Sequence, residues 1–206
     1  MFCTTMYLGI WQLQRLEWKN GIIEKIEKNL KTTISYEEFN NIEDDEFKLM
    51  KLQGEFLHDR HFNLLSRTYN GKAGTHVLTP FLANNGELLL VNRGWVKADG
   101  DYDEPKGIIE IEAVIRTSQK PGWLALENDP AKNHWFSIDL PEIYKSLNKP
   151  AKIFYLDRVS EDKSFPLALP KKIQLHNEHL QYVITWLSLS FALVVMYYFR
   201  FWKNKD

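Results

Sequence analysis

The chain has 206 residues, of which 26% are charged, and a formal net charge of −1 at pH 7. That length supports one sizeable core, and the near-neutral balance excludes nucleic acid as the main partner, because no basic stripe is available to displace counterions. The one cysteine, Cys3, excludes an internal disulfide, a CxxC redox site and a two-thiol copper carrier.

The chain opens on residues 1–13, apolar enough for membrane helix but too short to span. It lacks the basic leading region and cleavage site of a signal peptide. It runs directly into residues 14–30, QRLEWKNGIIEKIEKNL, where Leu16, Ile22, Ile23 and Ile26 recur at helical spacing. Two readings fit. Residues 1–13 are the remnant of a first membrane helix, with Trp11, Arg15, Trp18 and Lys19 as its interfacial girdle, or the whole stretch is an amphipathic helix on the membrane or the domain.

Residues 31–177 read as a β-rich domain. Stretches 47–57, 61–67, 75–82, 88–96, 108–117 and 152–159 are rich in β-branched and aromatic residues, with Asn70-Gly71, Asn85-Gly86, Asp99-Gly100 and Pro121-Gly122 as punctuation. Asn85-Gly86 predicts a hairpin turn with positive φ angles. Ile109, Ile111, Ala113 and Ile115 alternate along one strand and predict its inward face. Two short helices are predicted: 35–40, capped by Ser35 with Glu38 three residues on, and 139–147, with Asp139 as N-cap and Pro141 in the first turn.

The chain then turns apolar again. Leu180 to Phe199 reads LQYVITWLSLSFALVVMYYF, without a charge, and ends at Arg200. Such a run suits the ~30 Å core of a bilayer; a long helix in a soluble core would carry a polar stripe. Arg200, Lys203 and Lys205 follow it, whereas Lys171 and Lys172 precede it. The positive-inside rule then puts residues 200–206 on the cytoplasmic or matrix side, and the domain in the periplasm or intermembrane space. The expected fold is therefore α+β: an antiparallel β-rich soluble domain (31–177) between a partial N-terminal membrane helix and a C-terminal transmembrane helix (178–199).

Three chemical motifs have plain structural readings. Asp99-x-Asp101-x-Asp103 with Glu110 resembles a calcium loop, yet Glu104 stands where that loop needs glycine, and a solvated acidic turn fits better. His58 and His61 fall on opposite faces of a strand unless a helical turn intervenes. In Asn92-Arg93-Gly94-Trp95, Arg93 is expected to bind carbonyls or a carboxylate, Gly94 to allow close approach and Trp95 to pack in the core, in preference to the alternative of a partner-docking or anion-binding patch. No nucleophile elbow, phosphate loop or HExxH is present, so no turnover is expected.

Three stretches together resemble the surfeit locus protein 1 family, membrane proteins that assist cytochrome c oxidase assembly. They are Leu8-Gly-Ile-Trp-Gln-Leu-Gln-Arg15 with Trp18-Lys19; Thr79-Pro80-Phe81 followed by Leu90-Val-Asn-Arg-Gly-Trp-Val96; and Asn177-Glu-His-Leu-Gln-Tyr182 with Trp186. The resemblance implies a two-helix protein of the inner membrane; the absence of an Arg- and Ser-rich amphipathic presequence leans towards a bacterial membrane over a mitochondrial one. Its partners would be the lipid bilayer, the oxidase core subunit and the machinery that makes heme a. It also implies a heme a site at His179. The residues allow one: a porphyrin needs an apolar slot, an axial imidazole and cations near its propionates. His179, Tyr182 or Val183, and Trp186 share one helix face, as do Trp11, Arg15 and Trp18. His179 is then the expected axial ligand, Tyr182 and Trp186 line the slot, Trp11 flanks it, and Arg15 or Lys172 meets a propionate. A second reading is a cofactor-free scaffold for the nascent oxidase subunit. In that case the same residues are packing and interface groups.

Overall fold

The computed structural model describes residues 2–98, 100–118, 122–123, 125–170 and 178–201. Its elements run α1 (Phe2–Leu30), β1 (Thr33–Ile34), α2 (Ile42–Asp45), β2 (Leu49–Phe56), β3 (Phe62–Tyr69), β4 (Lys72–Ala83), β5 (Leu88–Lys97), β6 (Ile109–Arg116), β7 (His134–Trp135), α3 (Leu140–Ser146), β8 (Tyr155–Arg158) and α4 (His179–Phe201). Two compact units result: a helical one from Met1–Glu27 with Gln174–Asp206, and a β-rich one from Lys28–Ile173.

In the β-rich unit, β2 pairs with β6, β6 with β8, β8 with β5, β5 with β4, and β4 again with β2. Five strands thus close on themselves. β1 extends β2, while β3 and then β7 extend β4. The inward residues follow the period of two: Met50 and Leu52 on β2, Phe81 and Ala83 on β4, Leu89 and Val91 on β5, Ile111, Ala113 and Ile115 on β6, and Leu156 on β8. Closure depends on Gly54. A Cβ there would lie 2.2 Å from the Leu82 carbonyl oxygen and 2.8 Å from the Phe81 ring, so only glycine lets β2 reach β4.

A second apolar layer covers the outer face. Trp135 and, from α3, Leu140, Ile143 and Tyr144 pack on Phe62, Leu64, Leu78, Leu90 and Tyr155. The Tyr144 hydroxyl accepts from the Leu90 amide at 3.1 Å and donates to the Leu88 carbonyl at 3.2 Å, pinning α3 to β5. Asp139 caps α3 by accepting from the Glu142 amide at 3.0 Å, and Pro141 sits in its first turn, as expected.

The six predicted strands, five of them long and β8 short, and the α+β class match the sequence reading. Three details differ. The sheet is mixed, because β1·β2, β3·β7 and β5·β8 are parallel; each of these partners is reached by a long connection that lets the chain re-enter in the same direction. Residues 35–39 make turns without helix, although Glu38 does accept from the Ser35 amide at 2.7 Å. The nearby helix is α2, capped by Asn41. In the β4–β5 turn only Gly86 has positive φ, whereas the β3–β4 turn uses it at both Asn70 (48°) and Gly71 (75°), the two-residue hairpin geometry.

In the helical unit, α1 runs unbroken from Phe2 to Leu30. α4 is long and apolar enough to cross a membrane, and only 11% of its most apolar window is buried. A soluble core helix would be mostly covered. This exposure fits membrane anchoring.

Candidate functional site

Within the helical unit, α1 and α4 meet along a narrow seam. Thr5 and Gly9 are buried on α1, Val183 and Ser190 on α4. Gly9 faces Leu187 and Trp186: a Cβ there would come within 2.8 Å of Leu187 Cδ2, the end of a flexible side chain, and 3.7 Å of Trp186 Cβ. Ser190 Oγ lies 2.7 Å from Thr5 Oγ1 and 2.9 Å from the Trp186 carbonyl oxygen. Farther along, His179 Nδ1 is 2.7 Å from Gln12 Oε1. An amide oxygen only accepts, so Nδ1–H is the donor in this contact, and in the neutral ring that tautomer carries its lone pair on Nε2.

This placement sorts the expected site residues. His179 and Trp186 are half-buried on the face of α4 that meets α1. Of the alternatives Tyr182 and Val183, the buried one is Val183; Tyr182 is 51% exposed. Trp11 and Arg15 lie on an exposed flank of α1. There the Arg15 guanidinium sits 4.6 Å from the Trp18 ring centroid and 6.0 Å from that of Trp11, a cation–π cluster along one helix face. The structure therefore joins His179 to Gln12, and Arg15 to the tryptophans. Gln12 was missed in sequence although it lies in the quoted motif; Thr5, Gly9, Gln12 and Leu16, alternately four and three residues apart, carried the signal. Lys171, Lys172, His176 and Asn177 lie outside the described residues, as do Asp99, Lys203 and Lys205.

In the β-rich unit, the pairing of β4 with β5 shifts register so that Val77 faces Gly94 and Leu78 faces Asn92. Arg93 is the extra residue of this bulge. The bulge sends Asn92 and Arg93 into separate environments. Arg93, 1% exposed, lies over the ring of the interior residue Phe56 at 5.0 Å and over Tyr102 at 5.4 Å. It donates to the Asp103 carbonyl and, at 3.2 Å, to His58 Nδ1. His58 can accept there because its Nε2–H donates to the Pro105 carbonyl at 2.9 Å. Burial and the nearby Arg158 charge bring the Arg93 guanidinium down to about 10, which leaves it protonated at neutral pH. Gly94, at φ +125°, lets the Leu167 carbonyl oxygen come within 2.0 Å of where a Cβ would stand, and Trp95 packs between Tyr69 and Phe165. The motif is a packing device, as its residues suggested.

Asn92 belongs to a polar row on the outer face. Its Nδ2 donates to Asp157 Oδ1 at 2.8 Å and to His76 Nδ1 at 3.0 Å. Burial, followed by the charge of Arg67, holds His76 down at about 4, so it is a neutral acceptor. Burial pushes the Asp157 carboxyl up; the Asn92 bond and Arg116 oppose this. Sequence spacing gave no hint of this row, because its members come from three strands. His58 and His61 do lie at a 3-10 turn, but His61 Nδ1 bonds to the His58 carbonyl at 2.9 Å. No group of three metal-ligating side chains forms among the described residues.

Residues 1–191 match the SURF1 family. The chain belongs to that family. A SURF1-like protein of Rickettsia bellii (strain RML369-C) is 31% identical, covering 95% of this chain and 86% of its own length. A SURF1-like protein of Caenorhabditis elegans is 28% identical over 95% and 70%, respectively. Surfeit locus protein 1 of Mus musculus is 27% identical over 96% and 72%. The SURF1 match takes in both stretches that form the α1–α4 seam as well as the whole β-rich unit.

Proposed function

We propose that this SURF1-family chain is a membrane-anchored assembly factor for cytochrome c oxidase, and that its helical unit handles heme a for the oxidase core subunit. Family membership supports the first part. The observation that carries the second is the Gln12–His179 contact. Iron-ligating histidines characteristically donate their other ring N–H to an oxygen acceptor, which fixes the tautomer and turns the second nitrogen toward the metal. Gln12 Oε1 does this for Nδ1. His179 Nε2 would hold the iron, half-buried Trp186 would supply apolar wall, and Arg15 on its tryptophan flank is the propionate partner of this reading. Heme a, when bound, supplies the redox-active iron of the oxidase; the chain orients and shields it. The β-rich unit, with its continuous core, is the part that would meet the oxidase or the heme a synthesis machinery on the outer side of an inner membrane, bacterial in preference to mitochondrial.

The exposed positions of Tyr182, Trp11 and Arg15 favour a second reading, a cofactor-free scaffold whose aromatic flanks contact the oxidase subunit. The assembly role common to both is tested in cells lacking the chain, by the reduced-minus-oxidised heme a spectrum of their membranes. The expected result is a deficit restored by the wild-type chain. An equal oxidase content with and without the chain would overturn it.

A further inference from the structure

A cleft of about 390 Å³ opens on the outer face of the β-rich unit, lined by Arg67, Arg116, Thr117, Phe136, Ser137 and Tyr155 among others. None of its described lining residues is acidic; Glu46, behind the wall, accepts from the Thr117 hydroxyl at 2.6 Å and amide at 3.2 Å. Two features set it apart from an ordinary surface hollow. First, Arg116 is three-quarters buried, its side chain 26% exposed, yet its five N–H donors make no hydrogen bond among the described residues. Its Nε is fully buried without a partner, and its nearest carboxylate oxygen, Asp157 Oδ2, stands 3.9 Å away, while Oδ1 is taken by Asn92. The ring of Phe47, 4.8 Å from the guanidinium carbon, holds the group by its face and leaves its edges unspent. Burying that Nε–H is costly unless an acceptor arrives, and the terminal nitrogens face the cleft without a hydrogen bond among the described residues.

Second, Arg67 is brought to the same cleft by a bulge. The pairing of β3 with β4 is irregular between Leu64 and Arg67, and Ser66 takes a positive φ of 57°. Bulges of this kind re-aim a side chain. Among the described residues the re-aimed guanidinium donates to backbone carbonyls, those of Leu65, Ser66 and Phe136, at 3.3–3.4 Å, and to no carboxylate. Tyr155 adds a hydroxyl to the wall, whereas the Ser137 hydroxyl donates to Asn128 Oδ1 at 3.5 Å.

We infer that Arg67 and Arg116 form an oxyanion-binding site, built to take a phosphate or carboxylate group between two guanidiniums. Planar guanidinium forks match such groups bidentately. Asp157 limits the site to one such group, since it already offsets part of the Arg116 charge. The inference stands apart from the heme proposal: it uses other residues, and it holds whether or not the chain binds heme.

The test is calorimetric titration of the detergent-solubilised full chain with inorganic phosphate and, separately, with acetate. Arg67→Gln is the main variant, because Arg67 supports no buried carboxylate, and Arg67→Lys keeps the charge but loses the fork. The expected result is saturable binding of at least one anion, weakened at least tenfold in Arg67→Gln and less in Arg67→Lys, with near-UV circular dichroism unchanged. Preference for phosphate would point to a phosphoester or lipid headgroup, and preference for acetate to a carboxylate side chain or propionate. Absence of saturable binding of either anion, or equal binding by wild type and Arg67→Gln, would overturn the inference.

Discussion

Phe81, Leu89 and Leu156 of the β-rich unit are fully shielded, whereas Phe191, Met196 and Tyr197 of the helical unit are 71%, 59% and 68% exposed. The two regions also invert what lies at their contacts. The strands close over large apolar side chains, while α1 and α4 meet through Thr5, Gly9 and Ser190 and a Gln12–His179 bond. The difference teaches which solvent each region answers to. In water, hiding apolar area drives association. In lipid it yields nothing, so close backbone approach and hydrogen bonds take over.

The comparison breaks first, and most severely, in the sheet. Phe81→Ala is expected to destabilise the β-rich unit by about 3–5 kcal/mol, read from chemical denaturation of the full chain in detergent; a loss below about 1 kcal/mol would mean that the ring is not part of a tight interior. Phe191→Arg puts a charge on the exposed face of α4 and should cost about 2.5–3.5 kcal/mol in membrane insertion, seen as release of chain from carbonate-washed membranes. The melting of the β-rich unit should stay where it was. If instead that unit unfolds, α4 is not an independent anchor.

A third prediction concerns pH. Because His76 is held at about 4 in the fold, below the ~6.5 of an unfolded histidine, the unfolded chain takes up that proton first. Stability is therefore complete above pH ~6.5 and falls as pH drops towards 4, by on the order of 1–2 kcal/mol after allowance for partial exposure. Asp157, whose carboxyl is pushed up by burial, works in the opposite sense. His76→Gln should flatten the acid-side loss; an unchanged slope would remove His76 from the account. The smallest effect sharpens the helical side: Ser190→Ala should weaken the α1–α4 seam by about 0.6 kcal/mol, with no change in the β-rich unit's transition. A loss comparable to that of Phe81→Ala would mean the seam is organised like a soluble core.

What was legible in sequence follows the same division. The apolar run of α4 and the alternation of Ile109 to Ile115 declare themselves by period, and Asp139 and Pro141 mark α3, because each signal is local. β1 and β7, two residues each, are too short to show any period. The parallel pairings and the closure of β2 on β4 depend on partners far along the chain, as does the His76–Asn92–Asp157 row. Arg67 and Arg116 stand 49 positions apart in number (116 − 67), on strands separated in the sheet by β8, β5 and β4, and only the fold lets both line the cleft beside Phe136 and Tyr155. On α4, the family resemblance pointed to His179, and helical spacing put Trp186 on its face but left Tyr182 and Val183 equivalent there; of these two, Val183 is the buried one.

The most direct measurement is an optical spectrum of the detergent-purified full chain, co-expressed with heme a synthesis, before and after dithionite. The account expects a stoichiometric heme a spectrum that is lost in His179→Ala and diminished or shifted in Gln12→Leu, with the β-rich unit still folded in both. A folded, colourless wild-type chain, or heme a retained unchanged in His179→Ala, would contradict it.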